Sequence, residues 1–171
     1  HSTDYQTKFK LRELVEDGVG ILKVGPGLTY AAREGIFSLC MIEEELAAVY
    51  GFETSHFREE LDKAMLANPG KWAPYYHGTE NEIAFKRKYS FSDRCRYYLP
   101  QENVKNALAK LLANLKEHPV PLPLLSQYMP FQYTLVREGK LNNTPEDLIK
   151  ARVMYTIEEY TYASHQEELV R

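Results

Sequence analysis

The sequence predicts an α/β unit over residues 1–50 followed by a mainly α-helical extension over residues 51–171. Two patterns carry this expectation. Within the first fifty residues a helix-periodic segment, a short apolar segment bounded by glycine and a longer helix-periodic segment follow one another, which is the order of an α/β unit. After Gly51 no second strand pattern occurs, and aromatic, charged and proline-bounded helical segments take over. With 171 residues, 44% of them apolar, the chain is long enough for one ordinary domain with a core and too short for two large ones.

Taken in order, Lys8 to Asp17 carries Leu11, Leu14 and Val15 at helical spacing and then meets Gly18 and Gly20, the pattern of a short amphipathic helix with a glycine exit. Ile21-Leu22-Lys23-Val24 is short, apolar and bounded by Gly20 and Gly25-Pro26-Gly27, as expected of a buried parallel strand. From Thr29 or Tyr30 to Tyr50, Ala32, Ile36, Leu39, Cys40, Leu46 and Val49 trace a helical stripe that Gly51 ends. Phe57, Leu61, Ala64 and Met65 predict a short helix closed by Pro69-Gly70, and Val104 to Leu115 the cleanest amphipathic helix. The proline-rich stretch His118 to Pro123 reads as an extended, ordered connector. Thr144 as N-cap, Pro145 at the first helical position and an acid at Asp147 start a last helix running towards Ser164.

Charge and composition exclude several classes of partner. A net charge of −3 gives no excess of Lys and Arg for nucleic acid or an anionic membrane. Two cysteines, Cys40 and Cys95, form no disulfide framework or C-x-x-C pattern, which fits a reducing cytoplasm. No apolar run approaches the roughly 18 to 20 residues that span a bilayer. The chain opens at His1, without a methionine, in a polar segment that reads as a loop, so an upstream part is expected to have been removed.

Three clusters carry a family resemblance: His1-Ser2-Thr3-Asp4-Tyr5-Gln6-Thr7; Ile21 to Pro26 with Leu28-Thr29 and Arg33-Glu34; and Tyr89 to Tyr98. Together they resemble the non-catalytic, Z-type subunit of class II D-tagatose-bisphosphate aldolase, and Trp72, Tyr75-Tyr76, Ser126-Gln127-Tyr128 and Pro130 are similar in spacing. Gly27, Cys95 and Leu99 depart from the pattern. The resemblance implies the C-terminal part of a TIM barrel: the loop after strand seven at His1, helix seven, strand eight at Ile21–Val24, helix eight at residues 29–50, and then the helical extension. A whole barrel takes about 250 residues, so the first six strands would lie outside this sequence. It also implies a subunit that binds and stabilises a catalytic aldolase subunit in galactitol or N-acetylgalactosamine catabolism without cleaving substrate itself. The rival expectation is a metal-dependent aldolase or isomerase acting on a sugar phosphate. Relatives labelled tagatose-6-phosphate kinases find no support in a glycine-rich phosphate loop here. Self-association is left open.

Loops after the last two strands of a barrel commonly bind phosphate through backbone N–H groups at a helix start. On that basis Ser2, Thr3, Lys23, Gly25, Gly27, Leu28 and Thr29 form a candidate phosphate site, set against ordinary capping and a tight turn. His1 occupies the position where related catalytic subunits place a zinc ligand, and it is the one metal candidate; catalytic zinc needs about three protein ligands. Lys23 also invites a Schiff-base reading, which class II chemistry disfavours because a metal replaces the imine. Ser92, Asp93, Arg94 and Arg96 are expected to be structural, with Ser92 capping a helix and the arginines meeting acids such as Glu34, Glu43 or Glu44. Trp72, Tyr75, Tyr76, Tyr89, Tyr97 and Tyr98 suit either a core or a docking face. His56, His77, His118 and His165 show no i, i+4 pairing.

Overall fold

The computed structural model describes residues 3–166, and among them it contains α-helices and 3-10 turns but no β-strand. Helix α1 spans Lys8–Glu16, α2 Gly27–Tyr50, α3 Phe57–Ala67, α4 Glu80–Tyr89 and α5 Glu102–Glu117. Helices α6 (Leu122–Tyr128), α7 (Pro130–Arg137) and α8 (Pro145–Ala163) complete the order. The expected eighth barrel strand and the TIM-barrel class are therefore corrected. A strand exists by exchanging hydrogen bonds with a neighbour, and no described residue pairs with Ile21–Val24. The segment is irregular, Ile21 is 83% exposed, and Leu22 and Val24 instead line a trough beside Ile157 and Tyr160 of α8.

Helix α2 is the axle of the fold, packed by α8, α6, α5 and α3. Of the stripe that the sequence predicts, Ile36, Leu39, Cys40 and Leu46 are buried, together with Ala31 and Ile42, whereas Ala32 is half-buried and Val49 is exposed; Gly51 ends the helix in the left-handed region at φ 74°, its N–H donating to the Ala47 carbonyl at 2.8 Å. Gly35 lets α8 come close: a Cβ there would lie 3.4 Å from Ile149 Cα and 3.5 Å from Arg152 Cβ. Helix α3 packs on α5, whose Val104, Ala107, Leu111 and Leu115 are buried at i, i+3, i+4 spacing. One cluster of buried side chains runs from α2 through α3 and α5 to Leu148 of α8, and it takes in Trp72, Tyr76, Cys40, Cys95 and Tyr98. Both cysteines are free and buried.

Local chemistry sets the helix ends. Thr144 accepts from the Asp147 N–H at 3.3 Å, as its sequence position predicts, with Pro145 at the first helical position. The proline-rich connector is shorter than expected, because α6 already begins at Leu122. Pro123 in a first turn forfeits only an N–H that has no intrahelical acceptor. Helix α4, not foreseen in the sequence, opens with a reciprocal cap between Thr79 and Glu82.

Candidate functional site

The Gly25-Pro26 turn leads into α2 at Gly27, in the middle of the candidate phosphate residues, and Asp4 organises it. Asp4 accepts from the Gly25 N–H through both oxygens, at 3.0 and 2.9 Å, and from the Gly27 N–H at 2.8 Å. A carboxylate at a helix N-terminus meets unpaired N–H donors and the positive end of the helix dipole. Glycine at both positions lets the carboxylate come this close: a Cβ on Gly25 or Gly27 would lie 2.5 or 2.7 Å from an Asp4 oxygen and push the side chain aside. Thr3 is buried, donates to the Lys23 carbonyl and accepts from the Tyr160 hydroxyl at 3.3 Å, which ties the loop to α8. The Lys23 side chain is exposed rather than enclosed in a strand. Leu28 and Thr29 hold the next two N–H groups of α2. His1 and Ser2 lie outside the described residues.

A second acid, Asp93, sits one helical turn further along. It is 1% exposed and adopts the left-handed region at φ 47°, a conformation that Asp tolerates better than most residues. The Thr29 hydroxyl lies 2.5 Å from Asp93 Oδ2 and 3.0 Å from the Pro26 carbonyl; having one hydrogen, it serves the nearer carboxylate. Arg33 Nε reaches Asp93 Oδ1 at 3.4 Å, and Cys95 Sγ donates to the same oxygen at 3.2 Å. Burial, reinforced by Asp93, pushes the Cys95 thiol pKa well up. Arg33 itself is 2% exposed, with the Tyr30 ring 4.1 Å and the Phe37 ring 5.0 Å from its guanidinium carbon.

Tyr5 clamps the two acids together. Its ring packs on Phe91 at 4.4 Å and edge-on to Tyr30 at 5.5 Å, and its hydroxyl donates to the Phe91 carbonyl at 2.6 Å. Burial first, and then the charges of Asp93 and Asp4, raise the Tyr5 phenol pKa.

The tie between the 92–96 segment and α2 thus exists with its charges reversed from expectation: the acid comes from the segment and the arginine from the helix. Glu34, Glu43 and Glu44 have other partners, namely Arg152, Ser55 with Asn114, and Arg58. Arg96 donates to the carbonyls of Ser92 and Asp93 at 2.6 and 2.8 Å, while Arg94 stacks on Tyr75 at 3.3 Å. Ser92 does not cap a helix; its hydroxyl donates to Tyr76 Oη at 3.1 Å. The aromatic set divides, with Trp72, Tyr76 and Tyr98 in the core and Tyr75, Tyr89 and Tyr97 exposed.

Asp4, Tyr5 and Arg33 were not singled out by chemistry in the sequence. An acid some twenty residues before a Gly-Pro-Gly turn leaves no local pattern, and only its contacts reveal it. No group of three or more His, Cys, Asp or Glu that could hold a metal ion occurs among the described residues. No helix among them is long and apolar enough to cross a membrane.

A crystal structure described as a probable tagatose 6 phosphate kinase from Sinorhizobium meliloti 1021 matches the fold with a TM-score of 0.88 at 39% sequence identity. The match covers 95% of this chain and 42% of that one, so the chain spans less than half the length of that similar protein. Residues 1–165 match the family described as D-tagatose-1,6-bisphosphate aldolase subunit GatZ/KbaZ-like, a span that holds both acids, their glycine and arginine partners and all eight helices. On that match the chain belongs to the GatZ/KbaZ-like family of D-tagatose-1,6-bisphosphate aldolase subunits.

Proposed function

We propose that this chain serves within a non-catalytic subunit that binds and stabilises the catalytic class II tagatose-bisphosphate aldolase subunit, in the cytoplasmic catabolism of galactitol or N-acetylgalactosamine. The observation that carries the reading is the Asp4 carboxylate on the Gly25 and Gly27 amides. These are the donors a substrate phosphate would use, and the chain fills them from within. A fixed negative charge at that spot also repels an incoming phosphate dianion. Tyr75, Phe85, Phe91 and Tyr97 offer exposed aromatic area of the kind enriched where subunits meet.

A second reading keeps sugar phosphate as a ligand. It draws on the amides of Leu28 and Thr29, for which no hydrogen bond to a protein acceptor occurs among the described residues, and which remain at the positive end of α2. Asp4 weighs against it through like-charge repulsion.

Co-purification of the full-length protein with the catalytic subunit, followed by aldolase assay and thermal unfolding of the catalytic subunit, tests the first reading. Assembly with raised activity or melting temperature is expected, and no change in either would sink it. Titration with tagatose bisphosphate separates the two readings. The wild type is expected not to bind at the Leu28 and Thr29 amides, whereas saturable shifts of those amides would favour the second.

A further inference from the structure

Three cations converge on one exposed ring. The Lys71 ammonium and the guanidinium carbons of Arg94 and Arg96 lie 6.0, 5.8 and 4.4 Å from the centroid of Tyr97. None of the three forms an ion pair among the described residues, in a chain with 24 acidic and 21 basic side chains. Asp93, the acid between them in sequence, is buried and turned to Arg33. Tyr97 is 44% exposed, and beside it Tyr75 is 56% exposed.

The arrangement is held in place before any partner arrives. Arg94 stacks with its guanidinium carbon 3.3 Å from the Tyr75 centroid, and Arg96 is fixed by the carbonyls of Ser92 and Asp93 and by the Tyr97 hydroxyl at 2.8 Å. Stacking occupies the face of a guanidinium and leaves its edge for a carboxylate. Nη1 and Nη2 of Arg94 make no hydrogen bond among the described residues and, unlike its Nε, are not sealed from solvent. The rings offset part of the repulsion among the three cations, and an anion would remove the rest. The identity of that anion follows from what surrounds it. The net charge of −3 opposes a nucleic-acid backbone, and a small hydrated anion would leave both rings in water. A polypeptide segment with Asp or Glu set among apolar residues meets both demands, carboxylates on the cations and apolar atoms on the rings. Tyr and Arg are also the side chains that most often dominate binding where proteins meet, and fixing them beforehand lowers the cost of association. We infer that the face formed by Lys71, Tyr75, Arg94, Arg96 and Tyr97 docks an acidic surface segment of the catalytic subunit. The inference rests on the subunit role proposed above and names the contact through which that role is exercised.

Affinity of the full-length protein for the catalytic subunit is measured at about 50 and about 500 mM NaCl, because exposed charge pairs weaken with screening. Lys71→Glu reverses a fully exposed charge, and Arg94→Leu removes the fork while leaving an apolar side chain on Tyr75. Lys140→Glu, in the turn after α7, changes the net charge as Lys71→Glu does and serves as the control. Wild-type affinity is expected to fall at high salt. At low salt Lys71→Glu and Arg94→Leu are each expected to bind about tenfold more weakly, with the control within about twofold of the wild type. If Arg94→Leu does not fold, Lys71→Glu decides the matter alone. Salt-independent assembly with wild-type affinity in Lys71→Glu would overturn this contact and leave the subunit role standing. Failure of the wild type itself to assemble would bring down the role and the contact together. Displacement by inorganic phosphate, at an ionic strength where NaCl has no effect, would give the face to a small anion instead. Dissociation of a homo-oligomer of the full-length protein by Lys71→Glu would give it to a second copy of the chain, and either result overturns the assignment.

Discussion

Asp93 gathers Thr29, Arg33 and Cys95 around one carboxylate, and both it and Arg33 are withdrawn from water. Removing one member of such a pair leaves the other charge buried alone, which costs about 3 to 5 kcal/mol. Asp93→Asn keeps the size of the side chain and tolerates the left-handed backbone, so its effect isolates the charge. Urea unfolding of Asp93→Asn is expected to show a loss in that range; a loss below about 1 kcal/mol would mean that the pair behaves as an exposed one. At this scale the sequence was only partly legible. Arg94 and Arg96 were expected to meet acids of α2, whereas the pair that forms is Asp93 with Arg33 of α2, more than fifty residues away, and no spacing rule reaches that far. Gly25 and Gly27 were read as part of a phosphate-binding turn. That the carboxylate of Asp4 takes their N–H groups was not legible.

At the scale of single elements, helices with a buried stripe were the most legible. Helices α2, α5 and α8 announce themselves through apolar spacing or through Thr144 and Pro145, and their ends fall within a few residues of expectation. Helix α4 did not, because it lies on the surface: Arg87 is its one buried residue, and Phe85 and Tyr89 are exposed. The Thr79 and Glu82 pair was the signal available for it. Thr79→Ala is expected to cost about 1 kcal/mol in thermal or urea unfolding, as loss of an N-cap hydroxyl does. The pKa of Glu82 is lowered by the Thr79 N–H first and by its hydroxyl next. A carboxylate with a depressed folded-state pKa contributes stability above its unfolded value of about 4.3, and the contribution fades as pH falls through the lower folded value. Hydrogen-exchange protection of the first turn of α4 should therefore weaken in that acid window. Glu82→Gln should lose this pH dependence, and an unchanged profile would show that the cap does not form. The segment Ile21–Val24 failed for the opposite reason. Its composition is that of a strand, but strand formation depends on a neighbour that composition cannot supply.

Across the whole molecule, stability concentrates where α2, α5 and α8 meet. Leu39, Ile42, Leu111 and Leu148 are all 0% exposed there. Leu111→Ala should cost about 2 to 5 kcal/mol in urea unfolding through lost contacts and a residual cavity. Ile21→Gln, at an 83% exposed site, should stay within about 0.5 kcal/mol. Equal effects of the two would mean that the helical body is not the stable unit. The two cysteines allow the opening of this body to be timed. Cys40 lies on the axle helix and Cys95 on the segment held down by Asp93, and burial is the first cause of the raised pKa of each thiol. An alkylating reagent attacks the thiolate, so neither sulfur should react until its surroundings part. If the body opens as one, both should be labelled at the same rate in dilute urea. If the 91–98 segment lifts from α2 first, Cys95 should react while Cys40 is still silent, and the order of the two modifications, read by mass spectrometry, would give the order in which the fold comes apart.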